Sequence, residues 1–313
     1  MSEAFETGDQ HHSLHEGTGG VAAMGNFDGV HAGHRAVIAT ASELASRLSA
    51  PLVAAVFKPH PRRYFRPDTA PFRLMSDAQR ARALKEAGCA RVYAIAFGPD
   101  LAAMSPEDFA RDVVAGELKL DGVVTGPDFR FGKGRAGTAD DLKALGGRHG
   151  FTAATAPEFT AEAAGGKVSS TAIREALIAG DPVRAASMLG RPWAVEGMVA
   201  RGDQRGRTLG FPTANVSLGE YQRPKFGVYA VRAQIEGEKR LIAGVANIGR
   251  RPTVDGTDER VEAHLFDFEG DLYGRTLEVR VERFIREERR FDGLDALTAQ
   301  IAKDSEVARA LLA

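Results

Sequence analysis

Two histidines three residues apart, His31 and His34, close the stretch Gly25-Asn26-Phe27-Asp28-Gly29-Val30-His31-Ala32-Gly33-His34. An apolar run, Val21-Ala22-Ala23-Met24, precedes it, and an amphipathic pattern through Val37, Ile38, Ala41, Leu44 and Leu48 follows. A strand, a glycine-bearing loop and a helix N-terminus in that order make an anion site. The loop amides face the ligand, the helix dipole favours negative charge, and glycines let the backbone come close. The two imidazoles add donors at the same place, so the chemistry is phosphate binding. A zinc site would need further soft ligands, and nothing nearby supplies them. No Gly-x-x-x-x-Gly-Lys-Ser/Thr run exists, so this is not a P-loop.

Further along, Val168-Ser169-Ser170-Thr171-Ala172-Ile173-Arg174 places three hydroxyls and a guanidinium together. Between the two segments lies Gly126-Pro127-Asp128-Phe129-Arg130-Phe131-Gly132. The second half opens with Gly202-Asp203-Gln204-Arg205-Gly206-Arg207-Thr208-Leu209-Gly210-Phe211-Pro212-Thr213-Ala214-Asn215. Gly244 to Thr253 and Val261-Glu262-Ala263-His264 follow, and strand alternation puts Glu262 and His264 on one face.

The elements that must hold these residues fall into two patterns. Up to Leu189, short apolar runs at Pro51 to Phe57, Arg91 to Phe97, Gly122 to Gly126 and Phe151 to Ala156 alternate with helical patterns. Ser105 reads as a helix cap with Pro106 at the first helical position and Asp108 three residues on. Strands separated by helices predict a parallel sheet covered on both faces, with ligands beyond the carboxyl ends of its strands. Ser170 reads as the cap of a helix through Leu177, and Asp181-Pro182 starts another that ends near Leu189-Gly190. After Arg191-Pro192-Trp193 the period becomes two. Tyr229, Val231, Ala233 and Ile235 alternate with their neighbours, as do Leu277, Val279 and Val281. Glycine-punctuated strands with few helices predict a small antiparallel barrel, closed by a helix over Leu294 to Leu312.

Length and composition agree. The 313 residues suggest about two domains. With 43% hydrophobic and 27% charged residues, the chain reads as a soluble protein with real cores. From Arg191 onward there are 20 Lys/Arg and 20 Asp/Glu, and before it 21 and 22, so neither half carries a nucleic-acid binder's basic excess. No apolar run reaches membrane-spanning length, and the first twenty residues lack a secretory signal's pattern. Those residues, with His11, His12 and His15, read as a disordered tail. The single cysteine, Cys89, excludes an intramolecular disulfide and reads as a packed residue, consistent with a cytoplasmic protein.

The first motif resembles the signature of the nucleotidyltransferase superfamily, and the Ser-Ser-Thr-x-x-Arg segment is similar to its second phosphate-holding motif. Gly-x-Asp-Phe-x-Phe-Gly resembles bacterial FAD synthetases, and Pro212-Thr213-Ala214-Asn215 resembles riboflavin kinases. Together, over about residues 21 to 305, the chain resembles the prokaryotic bifunctional riboflavin kinase/FAD synthetases. The resemblance implies a disordered tail over 1–20, a Rossmann-like FMN adenylyltransferase domain over 21–189, and a β-barrel riboflavin kinase domain over 190–313. It implies that riboflavin plus ATP gives FMN, and that the FMN phosphate then attacks the α-phosphorus of a second ATP to give FAD and pyrophosphate. A phosphate nucleophile is already ionised, so that step needs no protein base.

In the first domain the resemblance assigns ATP to Gly25, Asn26, Phe27, Asp28, His31, His34, Ser169, Ser170, Thr171 and Arg174, with Arg174 closing over the β- and γ-phosphates. It assigns flavin or nucleotide contacts to His60, Asp128 and Phe129. Two positions depart from the pattern: Lys58 stands where the family usually has Asp, and Pro127 where Glu is common. In the second domain it assigns ATP to Gly202, Gly206, Arg207, Gly210, Thr213 and Asn215, Mg²⁺ to Thr213 and Asn215, and the base for the ribityl hydroxyl to Glu262. The implied partners are riboflavin, FMN, ATP and Mg²⁺, with no nucleic acid, membrane or tightly held prosthetic group. Two other readings keep the same residues: a kinase whose first domain no longer adenylylates, and a flavin-sensing binding protein.

Overall fold

The computed structural model describes residues 6–7, 18–161, 166–201, 211–253 and 256–313 of the chain. It divides into two compact units. One comprises Met1–Ala70, Asp77–Glu162 and Gly166–Val168, and the other Pro71–Ser76, Ala163–Gly165 and Ser169–Ala313.

In the first unit, strands β1 (Glu6–Thr7), β2 (Val21–Met24), β3 (Leu52–Lys58), β4 (Arg91–Ala96), β5 (Gly122–Thr125) and β6 (Thr152–Thr155) form one parallel sheet. Their order is β1-β4-β3-β2-β5-β6. β7 (Thr160–Ala161) and β8 (Gly166–Lys167) form a separate antiparallel pair. The helices are α1 (Ala32–Leu48), α2 (Pro61–Phe65), α3 (Asp77–Glu86), α4 (Pro99–Ala103), α5 (Pro106–Asp108) and α6 (Ala139–His149). All four residues of β2 are buried, because both faces of the sheet are covered. α1 packs on β2, β5 and β3. Ala22, Met24, Val53, Ala55 and Phe57 instead join Phe109, Val113, Val114, Leu142 and Leu145 in one core. From β2 the chain runs outward through β3 and β4, then returns to place β5 on the other side of β2. That reversal is where open α/β sheets bind ligands, and the loop after β2 lies at it.

The expected strands are present with ends shifted by a residue or so. Three details differ from the sequence reading. Glu6–Thr7, within the stretch expected to be disordered, pairs with Tyr93 and Ala94, since a parallel ladder needs only backbone groups. Gly20, also in that stretch, donates its N–H to Asp121 at 2.7 Å. Ser105 caps as expected, its Oγ accepting the Asp108 N–H at 3.1 Å, but from Phe109 to Glu117 the chain continues as a π-helix. Cys89 is buried, which pushes its thiol up to about 11 and makes it a packing residue.

The second unit is an antiparallel sheet of β9 (Trp193–Met198), β10 (Ala214–Ser217), β11 (Gly227–Ile235), β12 (Leu241–Thr253), β13 (Gly256–Leu265) and β14 (Thr276–Arg286). The order is β10-β13-β12-β11-β14-β9, and a bridge between Ala200 and Asn215, with N–H to O at 2.9 Å, joins the two ends into a barrel. Val195, Val216, Val261, Ala263, Ile248, Val231, Leu277, Val279 and Val281 are fully buried, in the alternation the sequence predicts. The terminal helix α9 (Leu294–Leu312) covers part of the sheet, where Ala308 and Leu312 pack with Val228, Ala230, Val245 and Phe266. Arg286 clamps the buried carboxylate of Asp304 on this helix with bonds of 3.0 and 2.6 Å.

Two further pieces belong to this unit. The helices α7 (Ser170–Ala179) and α8 (Pro182–Leu189) pack on each other, and α8 also packs on β9 and β14. Ser169, not Ser170, caps α7, because its Oγ accepts the Ala172 N–H at 3.2 Å. Residues 71–76 form a strap. Arg73 exchanges backbone hydrogen bonds with Glu220 and Gln222, and the buried Trp193 donates its indole N–H to the Leu74 carbonyl at 2.9 Å. Phe72 and Leu74 are buried with it.

α7 and α8 bury Ile173, Leu177, Met188 and Leu189, and such side chains contribute about 1.5–3 kcal/mol each on full burial. Leu177→Ala in the full chain, a core truncation that costs about 2–5 kcal/mol, is therefore expected to lower the melting temperature of this unit by at least about 4 °C. Scanning fluorimetry of the variant beside the parent checks this, and an unchanged melting temperature would separate these helices from the barrel's stability.

Candidate functional site

In the first unit the loop after β2 departs from ordinary backbone geometry. Phe27 (φ 50°), Gly29 (φ 100°) and Val30 (φ 42°) are all left-handed, which a β-branched residue such as Val30 resists. Strain of this kind persists where the surroundings over-determine it, often at ligand sites. Here Phe27, Asp28 and Val30 are each about 1% exposed, so the side chains of Phe27 and Asp28 shape the loop from within. The Gly25 N–H is held by Ala55, and among the described residues the buried Asn26 Oδ1 has no hydrogen-bond partner.

The loop ends on His31, which caps α1: its Nδ1 accepts the His34 N–H at 3.3 Å. An accepting Nδ1 carries no proton, so the neutral ring holds its proton on Nε2, as a donor. The His31 and His34 rings are stacked, with centroids 3.7 Å apart and planes within 17°. Gly33 permits the stack, because a Cβ there would meet the His31 ring at 3.2 Å. The first turn of α1 has no acidic residue, so its positive end is left for an external anion.

His60 caps α2 through Nδ1, which accepts the Arg62 N–H at 3.1 Å. Beside it stands an aromatic cluster that the sequence reading missed. Phe97 lies 5.9 Å from Phe57, 5.3 Å from Tyr64 and 5.6 Å from Phe65. Phe65 is 62% exposed, which opens one side of the cluster to a flat ligand. The available signal was the pair Tyr64-Phe65, separated from Pro59-His60-Pro61 only by Arg62-Arg63. Asp128 is exposed, while Phe129 stacks on Phe131 at 5.8 Å and Phe131 lies in the core.

Ser169, Ser170, Thr171 and Arg174 belong to the second unit, at the start of α7. The Arg174 Nε donates to the Phe72 carbonyl of the strap at 2.7 Å, and its guanidinium lies over the Phe72 ring.

On the barrel, Asn215, Glu262 and Asn247 are direct partners across β10, β13 and β12, so their side chains share the face opposite the barrel core. Among the described residues the Glu262 carboxylate has no hydrogen-bond or ion-pair partner. The buried Asn215 accepts from Arg260 at 3.3 Å through Oδ1. Asn247 donates to Glu288 at 3.0 Å, and the Glu288 carboxylate fills the space a Cβ would need at Gly249. His264 meets the Pro212 carbonyl at 2.9 Å through Nδ1 and packs edge-on against Phe211, which fixes the segment carrying Thr213. Nearby, Glu259 is pulled below the usual carboxylate range: burial opposes this, but hydrogen bonds from Arg250 and Arg223 outweigh it.

Gly202, Gly206, Arg207 and Gly210 lie outside the described residues. The remaining donors, a Thr213 hydroxyl and the buried Asn215 amide oxygen, are hard and neutral. They fit Mg²⁺ that arrives with a nucleotide and takes its other ligands from phosphate and water. The described residues contain no group of three or more His, Cys, Asp or Glu able to hold a metal.

Two family descriptions match the chain in succession: FAD synthetase over residues 13–172 and riboflavin kinase over residues 189–312. A bifunctional riboflavin kinase/FMN adenylyltransferase of Escherichia coli K12 is 43% identical over 93% of the chain and 92% of its own length. One of the same description from Pseudomonas fluorescens is 43% identical over 97% of the chain and 96% of its own length. Among solved structures, one described as a macrolide-efflux protein from Streptococcus pneumoniae superposes with a TM-score of 0.82. It is 33% identical and covers 93% of this chain and 94% of its own. No described helix of this chain is long and apolar enough to cross a membrane.

Proposed function

The chain belongs to the bifunctional riboflavin kinase/FMN adenylyltransferase family, and from that premise we propose how its two halves divide the work. It phosphorylates riboflavin to FMN and transfers the adenylyl group of ATP to FMN, giving FAD. The succession of both matches along one chain, with relatives aligned over more than nine-tenths of their length, carries this reading. Incubation with riboflavin, ATP and Mg²⁺, followed by chromatography of the flavins, tests it. FAD is the expected product. FMN alone would mean a kinase without adenylyl transfer, and no product a binding protein.

Adenylyl transfer belongs to the loop after β2 and the α1 N-terminus. The FMN phosphate attacks the α-phosphorus and pyrophosphate leaves, so negative charge builds on non-bridging and leaving oxygens. Catalysis is then positioning and electrostatics. His31 Nε2–H, His34 and the loop amides are fixed donors that need no reorganisation. The Ser-Ser-Thr-x-x-Arg segment, Ser169 to Arg174, binds ATP phosphates as well. The aromatic cluster around Phe65, next to His60, suits an isoalloxazine ring, with Asp128 and Phe129 as further contacts.

Riboflavin phosphorylation belongs to the face carrying Glu262. The ribityl hydroxyl must lose a proton, and an unengaged carboxylate between two amides is a suitable acceptor. Thr213 and Asn215 hold Mg²⁺, which when bound neutralises phosphate charge and orients the γ-phosphoryl group. Gly202, Gly206, Arg207 and Gly210 wrap the phosphates of this second ATP.

Three outcomes are expected. Replacing both His31 and His34 with Ala should abolish FAD formation and spare FMN formation, since losing one preorganised donor already costs on the order of 10²–10³ in rate. Near-normal FAD synthesis in that variant refutes the phosphate-clamp role. Thr213→Ala should raise the Mg²⁺ requirement of the kinase step while FAD formation from supplied FMN continues, and an unchanged Mg²⁺ titration removes Thr213 from the metal site. Glu262→Gln should lower kinase turnover by ~10²–10⁴-fold with little change in riboflavin binding. Full activity there moves the base elsewhere.

A further inference from the structure

Arg80, on α3, is fully excluded from solvent, one of the largest side chains in the protein to be so. A buried guanidinium is costly unless paired, and it is seldom kept without a structural or functional reason. Its Nη1 donates to the Asn26 carbonyl at 2.9 Å, and its Nη2 to Asp77 Oδ1 at 3.0 Å. The other oxygen of Asp77 lies 3.6 Å from the ammonium of Lys58. Asn26 opens the loop that ends on His31, and Lys58 is the last residue of β3, beside the Pro59-His60 turn. A chain of charge-assisted contacts, Asn26–Arg80–Asp77–Lys58, thus joins the loop after β2 to the turn after β3.

We propose that Arg80 is a positioning residue of the adenylyl-transfer site, an inference that rests on reading the loop after β2 as the place where ATP phosphates bind. A peptide oxygen turned toward a polyphosphate repels it. By accepting from Arg80, the Asn26 carbonyl is held on the protein side, which leaves the loop's N–H groups to the nucleotide. The same contact fixes the peptide just before Phe27 and Val30, whose left-handed backbone has to be held from outside. Arg80 is ion-paired with Asp77, so the trio with Lys58 carries one net positive charge. Asp77 orients it and shares the load with Lys58, the position that departs from the family's usual Asp. A planar fork reaches both acceptors at once, and an ammonium does not.

The test uses the full chain, with FAD formation from FMN and ATP measured well below the melting temperature of each variant. Arg80→Gln should lower kcat/KM for ATP by about a hundredfold, the usual penalty for a misplaced reacting group. Arg80→Lys should recover part of that loss, and Asp77→Asn should give a smaller loss, still in kcat/KM for ATP. The KM for FMN should stay within about twofold of the parent in all three, and riboflavin phosphorylation by the same molecules should be unchanged. A folded Arg80→Gln protein with parental kcat/KM for ATP overturns the proposal, even if it melts lower. Should Arg80→Gln not fold, parental kcat/KM for ATP in Asp77→Asn overturns it instead. The His31/His34 double variant separates the two levels. If that variant makes FAD normally, the phosphate-site reading itself fails, whereas an inactive double variant beside a normal Arg80→Gln removes only Arg80.

Discussion

The first unit depends on a left-handed backbone at a β-branched residue. Val30 at φ 42°, close behind Phe27 at φ 50°, costs on the order of 1–3 kcal/mol per residue, and the local hydrogen bond from the Val30 N–H to the Phe27 carbonyl at 3.2 Å does not hold it alone. The surroundings do the rest. β2 is sealed between two layers, the Gly25 N–H is taken by β3, and the side chains of Phe27 and Val30 are sunk in the interior. The Asn26 peptide is gripped from α3. With the loop so held, α1 begins on a histidine instead of the usual hydroxyl or carboxylate cap, and its positive end stays available.

The second unit solves a different problem with the two faces of one curved sheet. The inner face is built largely of aliphatic and aromatic side chains and supplies cohesion. The outer face splits in two: α9 covers β11 and part of β12, while Asn215, Glu262 and Asn247 lie in a row on β10, β13 and β12. Strict alternation lets a carboxylate stand one residue from a buried core position, since Val261 and Ala263 on either side of Glu262 are fully buried. The backbone at Glu262 is thus held by the core beneath it.

What could be read in the sequence was what local order carries. The apolar runs of β2 to β5, the alternation in β11 and β14, the Ser105 and Asp181 caps and the His31/His34 pair each announce themselves within ten residues. What escaped depends on partners far away in sequence. Arg80 sits in a polar helix and resembles a solvated side chain, because burial there comes from tertiary contact. The strap at 71–76 has no strand period, and its pairing with Glu220 and Gln222 is visible only in three dimensions. The π-helix after Asp108 looks like an ordinary amphipathic pattern, since Phe109, Ala110, Val113 and Val114 would also share a face of an α-helix. Phe57, Tyr64, Phe65 and Phe97 come from β3, a short helix and the position just after β4, and only the fold gathers them.

The strap also bears on how such a chain is made. Trp193 finds its hydrogen-bond acceptor 119 residues upstream, at Leu74, so the apolar Phe72 and Leu74 leave the ribosome long before the residues that cover them. Synthesis at 5–20 residues per second leaves that pair waiting for roughly 6–24 seconds. During this interval the nascent chain carries an uncovered hydrophobic segment, a natural substrate for a holding chaperone. It also means that the gene cannot be divided at one codon into two self-sufficient cassettes. The first half of the gene encodes part of the second unit's interior.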